Sequence, residues 1–130
     1  MTEFQFADEL QRSLEKHNTE RLAGEYWRQD EFLYVQSFLP PIILSVLQQE
    51  IPHLQNFTHR ANILRIRKGG GVGATNLKKQ TTFIKEIYSS NALMRFLSAI
   101  VKRPLLACPE DDEHAMALYS YTEEGDFVHY

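Results

Sequence analysis

Residues 68–76 read KGGGVGATN, a composition suited to cradling phosphate with backbone N–H groups. That chemistry requires a glycine followed by Lys and then Ser or Thr, so that an amine and a hydroxyl reach phosphate and magnesium. Here Gly73 is followed by Ala74 and Thr75, with no lysine between them. The dinucleotide fingerprint is also incomplete. Gly69, Gly71 and Ala74 only approximate its spacing, and no acidic residue follows on a second strand about 20 positions later. The run is expected to be a flexible strand-to-helix loop. Residues 69–71 would let backbone approach a ligand closely, as a lid at the edge of a pocket.

Arg65 and Arg67 alternate on what reads as a strand, so they share a face beside Lys68. A guanidinium there is shaped for bidentate binding of a carboxylate, and a solvated sheet face is the competing reading. Residues 108–114, CPEDDEH, gather four acids and His114. Oxygen-ligand calcium loops need glycine and alternating ligands, and this run has neither, so a solvated loop is expected. Its cysteine, Cys108, is the sole one in the chain and cannot form an internal disulfide, as suits a reducing compartment. An acidic neighbourhood disfavours the thiolate, so Cys108 is read as a packing residue. His17, His53 and His59 are scattered without the paired spacing of a zinc helix, and no Gly-x-Ser-x-Gly elbow occurs.

The elements that must position these groups follow from periodicity. Phe6, Leu10 and Leu14 fall four apart, an amphipathic helix. Residues 18–31 read as a short helix or turn anchored by Leu22, Tyr26 and Trp27. Residues 31–39, EFLYVQSFL, have strand composition. Pro41 then opens a helix over 42–50 that Pro52 ends. Residues 62–67 alternate as a half-buried strand, and Thr75 or Asn76 caps a single helix running to about Ser90. Asn91 begins another helix, with Leu93, Phe96, Leu97 and Ile100 on one face. LLA at 105–107, HAMALYSY at 114–121 and FVHY at 127–130 read as strands, with TEEGD as a tight turn.

The 130 residues suffice for one domain with a core, and 43% hydrophobic and 24% charged residues are ordinary for a globular chain. A net charge of −3 argues against general nucleic-acid binding. No apolar run nears the roughly 20 residues that cross a bilayer, and the acidic N-terminus is unlike a signal peptide. A cytoplasmic location without membrane partners is expected. The fold class is α+β.

LYSYTEEGDFVHY, residues 118–130, resembles the segment leading into the iron-binding motif of Fe(II)/2-oxoglutarate-dependent oxygenases of the prolyl-hydroxylase-like class. Residues 32–51 resemble that class's usual entry, a strand followed by a loop and a long supporting helix, and 65–77, 93–119 and the final hairpin together look like the branch that includes free-amino-acid hydroxylases and halogenases, so the similarity covers about 31–130. The resemblance implies helices packed on the first strands of an incomplete double-stranded β-helix, a jelly-roll or cupin-like barrel. Residues 1–30 would be a helical extension, and 31–130 the supporting helices and first barrel strands. It also implies Fe(II) and 2-oxoglutarate as cofactors of the intact enzyme and a small-molecule substrate such as an amino acid. Tyr121 matches the strand tyrosine that approaches 2-oxoglutarate, with a core tyrosine as the alternative, and Arg67 is a weaker candidate for the substrate carboxylate.

In that class the first iron histidine lies six residues after the turn glycine, which from Gly125 is position 131, so His129 does not match it. This chain is therefore expected to be the N-terminal portion of a larger oxygenase domain. It supplies no metal ligand, binds neither cofactor tightly alone and is inactive by itself. Its open hairpin edge is expected to dimerise, precipitate or bind a missing half. The rival reading is a non-enzymatic interaction module offering Tyr119, Tyr121, Phe127 and Tyr130 as an aromatic edge strand. A small nucleotide-binding protein built on KGGGVGATN is a third.

Overall fold

The computed structural model describes residues 1–59, 62–63, 66–67 and 70–120, the pairs 62–63 and 66–67 by backbone alone. Among these residues the chain is α+β, with six α-helices and two small antiparallel pairings. The strands of a double-stranded β-helix are not delineated among them. No helix among them is long and apolar enough to cross a membrane.

The first helix, α1 (Glu3–Glu15), opens with a capping box. The Gln5 N–H donates to the Thr2 hydroxyl at 3.1 Å, and the Thr2 N–H donates to the Gln5 side-chain oxygen at 2.8 Å. Two of the helix's orphan donors are thereby satisfied. Asn18 caps α2 (Thr19–Arg28) through the Arg21 N–H, and Ser90 caps α6 (Asn91–Val101) through the Leu93 N–H. Lys102, in the left-handed region at φ 54°, ends α6. Helices α1 and α2 pack against α6. Their apolar stripes, joined by Ile43, make a core of Phe6, Leu10, Leu14, Leu22, Ile43, Phe96 and Ile100. The four-apart spacing of Phe6, Leu10 and Leu14 thus delivers the face it predicts.

Residues 31–39 are not a strand. Leu33, Val35, Phe38 and Leu39 do pack on the helical core, while Phe32 and Tyr34 face solvent. The alternation is therefore real, but no strand pairs with the segment among the described residues. Positive φ at Asp30, Glu31 and Ser37 bends it to follow the helices instead. Strand composition marks a half-buried surface as much as a ladder.

Helix α3 (Pro41–Leu54) starts at Pro41 as expected but continues through Pro52. Only its last turn lacks one bond, the exposed Gln48 can turn its carbonyl to water, and Leu54 is buried beyond the proline. A single 3₁₀ turn, Gln55–Phe57, follows.

The predicted helix over 75–90 is two helices, α4 (Ala74–Gln80) and α5 (Phe83–Ser89), and α4 is entered from Gly73 rather than capped by Thr75 or Asn76. The break has two causes. The Thr81 hydroxyl donates to the Leu77 carbonyl at 2.7 Å and accepts from the Lys85 N–H at 3.2 Å. Half-buried Glu50, reaching from α3, accepts from the N–H groups of Thr82, Phe83 and Ile84 at 2.6–3.1 Å. A carboxylate at a helix start is favoured by the helix dipole as well as by these bonds.

The strand predicted over 62–67 is split into β1 (Asn62–Ile63) and β2 (Ile66–Arg67), which face each other antiparallel with Asn62 opposite Arg67. The glycine run also departs from expectation. Gly70–Val72 is strand β3, antiparallel to β4 (Leu118–Ser120), with Gly71 opposite Tyr119. On its other side Gly71 exchanges two backbone hydrogen bonds with His59, at 2.8 and 2.9 Å. A Cβ at Gly71 would lie 3.3 Å from the Tyr119 ring, so that glycine serves close packing rather than a free lid. Residues 105–107 are not a strand: Leu106 is 90% exposed and no strand among the described residues pairs with them. Leu54, Val72 and Leu77 form a second, smaller core beneath the β3–β4 ladder.

Candidate functional site

The ladder ends where β3 meets α4, and there the acidic loop of residues 108–116 folds back over it. Glu113 makes the junction. Its carboxylate accepts the Thr75 N–H at 3.2 Å and the Thr75 hydroxyl in a short contact. These bonds, the hydroxyl's foremost, hold the Glu113 carboxyl below its usual range against an opposing effect of desolvation. Gly73 makes room for the carboxylate, since a Cβ there would fall 2.1 Å from Glu113 Oε1. His114 follows, its N–H donating to Asp112 Oδ1 at 2.9 Å.

Glu113 and His114, together with His59, Asn76 and Tyr119, line a cleft of 510 Å³ floored by Val72. Two imidazoles, an amide, a phenol and a carboxylate can recognise a small polar molecule by hydrogen bonds. Ligand sites are commonly this size, with a few convergent polar groups. Among the described residues no group of three or more His, Cys, Asp or Glu side chains could hold a metal ion.

The cleft brings together His59, Asn76, Glu113, His114 and Tyr119 from stretches singled out in the sequence, but not the two residues expected to bind co-substrate and substrate, Tyr121 and Arg67. Tyr121 follows β4 directly and lies outside the described residues, as do Arg65, Lys68, Gly125, Phe127, His129 and Tyr130. Arg67 is the second residue of β2, where its backbone alone is described. The acidic loop is exposed, as expected, yet it is tied down at Glu113, and Lys78 Nζ donates to the Glu110 carbonyl. Cys108 is exposed rather than packed. A hydrogen bond with Cys108 pushes the Tyr88 phenol up, with burial adding to it.

Sequence reasoning missed the cleft. His59 looked isolated because its contact with Gly71 is a backbone bridge. Glu113 looked solvated because its partner, Thr75, lies 38 residues away. The one available signal was that CPEDDEH and the glycine run both border predicted strands.

The family model for Halogenase D matches residues 14–128 of this chain. The chain belongs to the halogenase D family. The match takes in α2 to α6, the ladder and the cleft-lining loop, and leaves out most of α1 with Phe6 and Leu10 of the core. No curated protein matches the sequence.

Proposed function

We propose that this halogenase D family chain contributes the helical support and one wall of the site of an iron- and 2-oxoglutarate-dependent enzyme acting on a C–H bond of a small molecule such as a free amino acid. The observation that carries this reading is the family match over residues 14–128, which spans the same segments as the resemblance to oxygenases. The family's name favours halogenation over hydroxylation.

The described residues do not fit iron, since no set of three ligating side chains occurs among them. What this chain's own residues do in the proposal is bind and orient. The Tyr121 phenol donates a hydrogen bond to a carboxylate of 2-oxoglutarate, and the Arg67 guanidinium engages the carboxylate of the substrate. The loop held by Glu113 closes one side of the cleft and limits water there.

Two measurements test this. The 130-residue chain, titrated anaerobically with Fe(II), shows no stoichiometric tight binding, and with Fe(II), 2-oxoglutarate, chloride and free amino acids it releases no succinate. A longer polypeptide carrying the same residues releases succinate and adds chlorine or hydroxyl to one of those amino acids. Tight iron binding by the short chain, or silence from the longer one, defeats the reading.

A second reading draws on Tyr119, 60% exposed on β4. An aromatic strand edge of this kind can pair with another chain, or with a second copy. Sedimentation of the native chain and of Tyr119→Lys distinguishes it, because edge pairing would give a dimer that the lysine abolishes.

A further inference from the structure

On the other face of the acidic loop from the His59 cleft lies a separate cavity of 440 Å³, between α4, α5 and residues 107–116. Its apolar walls come from Ala107, Pro109, Ala115 and Met116, and its charged lining from Lys78, Lys85 and Glu110. Both lysines are half-buried. The neighbouring loop carries four acids, Glu110 to Glu113, yet among the described residues neither lysine has a carboxylate within ion-pair distance. Lys78 instead donates to the Glu110 backbone carbonyl, which holds its ammonium at the rim without neutralising it. Glu113 is near enough to Lys78 for the two charges to attract, whereas no carboxylate among the described residues pairs with Lys85, and a bound anion would supply that charge-assisted bond. The Ser89 hydroxyl is committed to the Lys85 carbonyl at 2.7 Å, so the lysines are the groups that answer an anion.

We propose that this cavity binds a small organic acid, with its carboxylate at Lys78 and Lys85 and an aromatic body against Met116 and the Tyr88 ring. A thioether beside an aromatic ring is a favourable contact, and the cavity falls in the range, about 300–1,000 Å³, usual for small-molecule sites. The site is distinct from the proposed reaction site and does not depend on it.

Cys108 also lines the cavity and is the sole cysteine, so its alkylation reports occupancy directly. The native chain is treated with N-ethylmaleimide, alone and with 2-naphthoate or its neutral counterpart 2-naphthamide, and labelling is followed by mass spectrometry. The naphthoate slows labelling severalfold and the amide does not. Lys85→Gln loses this protection, Lys85→Arg keeps it, and Lys78→Gln weakens it. Equal protection by the amide, no protection by either compound, or protection unchanged in both glutamine variants overturns the proposal. The comparison of the two compounds on the native chain needs no variant to fold.

Discussion

The helical half and the ladder half of this molecule are held together differently. Seven buried side chains join α1, α2, α3 and α6, four of them from the first two helices. Beneath the β3–β4 ladder three of the described residues, Leu54, Val72 and Leu77, are buried together. Outside the helical core carboxylates act as well: Glu50 reaches from α3 to the start of α5, which packs on both cores, and Glu113 reaches from the acidic loop to Thr75. Apolar packing is broad and tolerant, whereas a carboxylate clamp depends on a few atoms. The cleft lies on the clamped half. Regions that bind and rearrange are generally those with less buried apolar surface, and this division follows that rule.

That contrast breaks first at Phe6, which is fully buried and lies tilted against Phe83 with ring centroids 5.0 Å apart. Phe6→Ala is expected to lower stability by about 3–5 kcal/mol, seen as an earlier urea midpoint of the whole chain. Glu50→Ala comes next. It leaves three N–H groups at the start of α5 without their acceptor, costing about 2 kcal/mol. Hydrogen exchange should quicken in α5 more than in α1 or α6, and equal quickening everywhere would erase the distinction between the halves.

Gly73→Ala is smaller. Its new Cβ displaces a flexible carboxylate rather than backbone, so about 1 kcal/mol is expected. The side-chain bonds of Glu113 to Thr75 would be lost, and limited proteolysis should then cut the 108–116 loop faster. Smallest is the pH effect of Glu113. Its carboxyl titrates lower in the folded chain than in the unfolded one. The clamp's contribution is therefore complete above the ordinary carboxylate range and is lost as pH falls through the lower, folded value. Thr75→Val should remove that part of the acid dependence in pH-dependent melting, and an unchanged profile would show that the clamp is not the cause.

Much of the helical half is legible in sequence because its determinants are local. Phe6, Leu10 and Leu14 recur at helix spacing, and Leu22, Tyr26 and Trp27 mark α2. Leu93, Phe96 and Ile100 mark α6 in the same way. Misreadings arise where a local preference is overruled from a distance. EFLYVQSFL has the composition of a strand and buries alternate residues, but it finds helices rather than a strand alongside. Pro52 argues for a helix end, yet the burial of Leu54 carries α3 past it. Nothing near Thr81 foretells that Glu50 will cap the following helix. The site was less legible still. Glycine content at 69–71 suggested a loop for a ligand, whereas Gly71 is placed in a ladder between His59 and Tyr119.

By itself the sequence determined the α+β class and the amphipathic helices α1 and α6, and left α2 as a short helix or turn, since these depend on residue order and on spacings within a turn or two. The tertiary structure alone decided that the glycine run pairs with residues 118–120, that helix 75–90 breaks at Thr81, and that two histidines, an amide, a phenol and a carboxylate share one cleft. The reason is distance along the chain. A backbone bridge or a carboxylate spanning 32 to 38 residues leaves no periodic trace, because its energy lies in a few directed bonds rather than in a repeated apolar face.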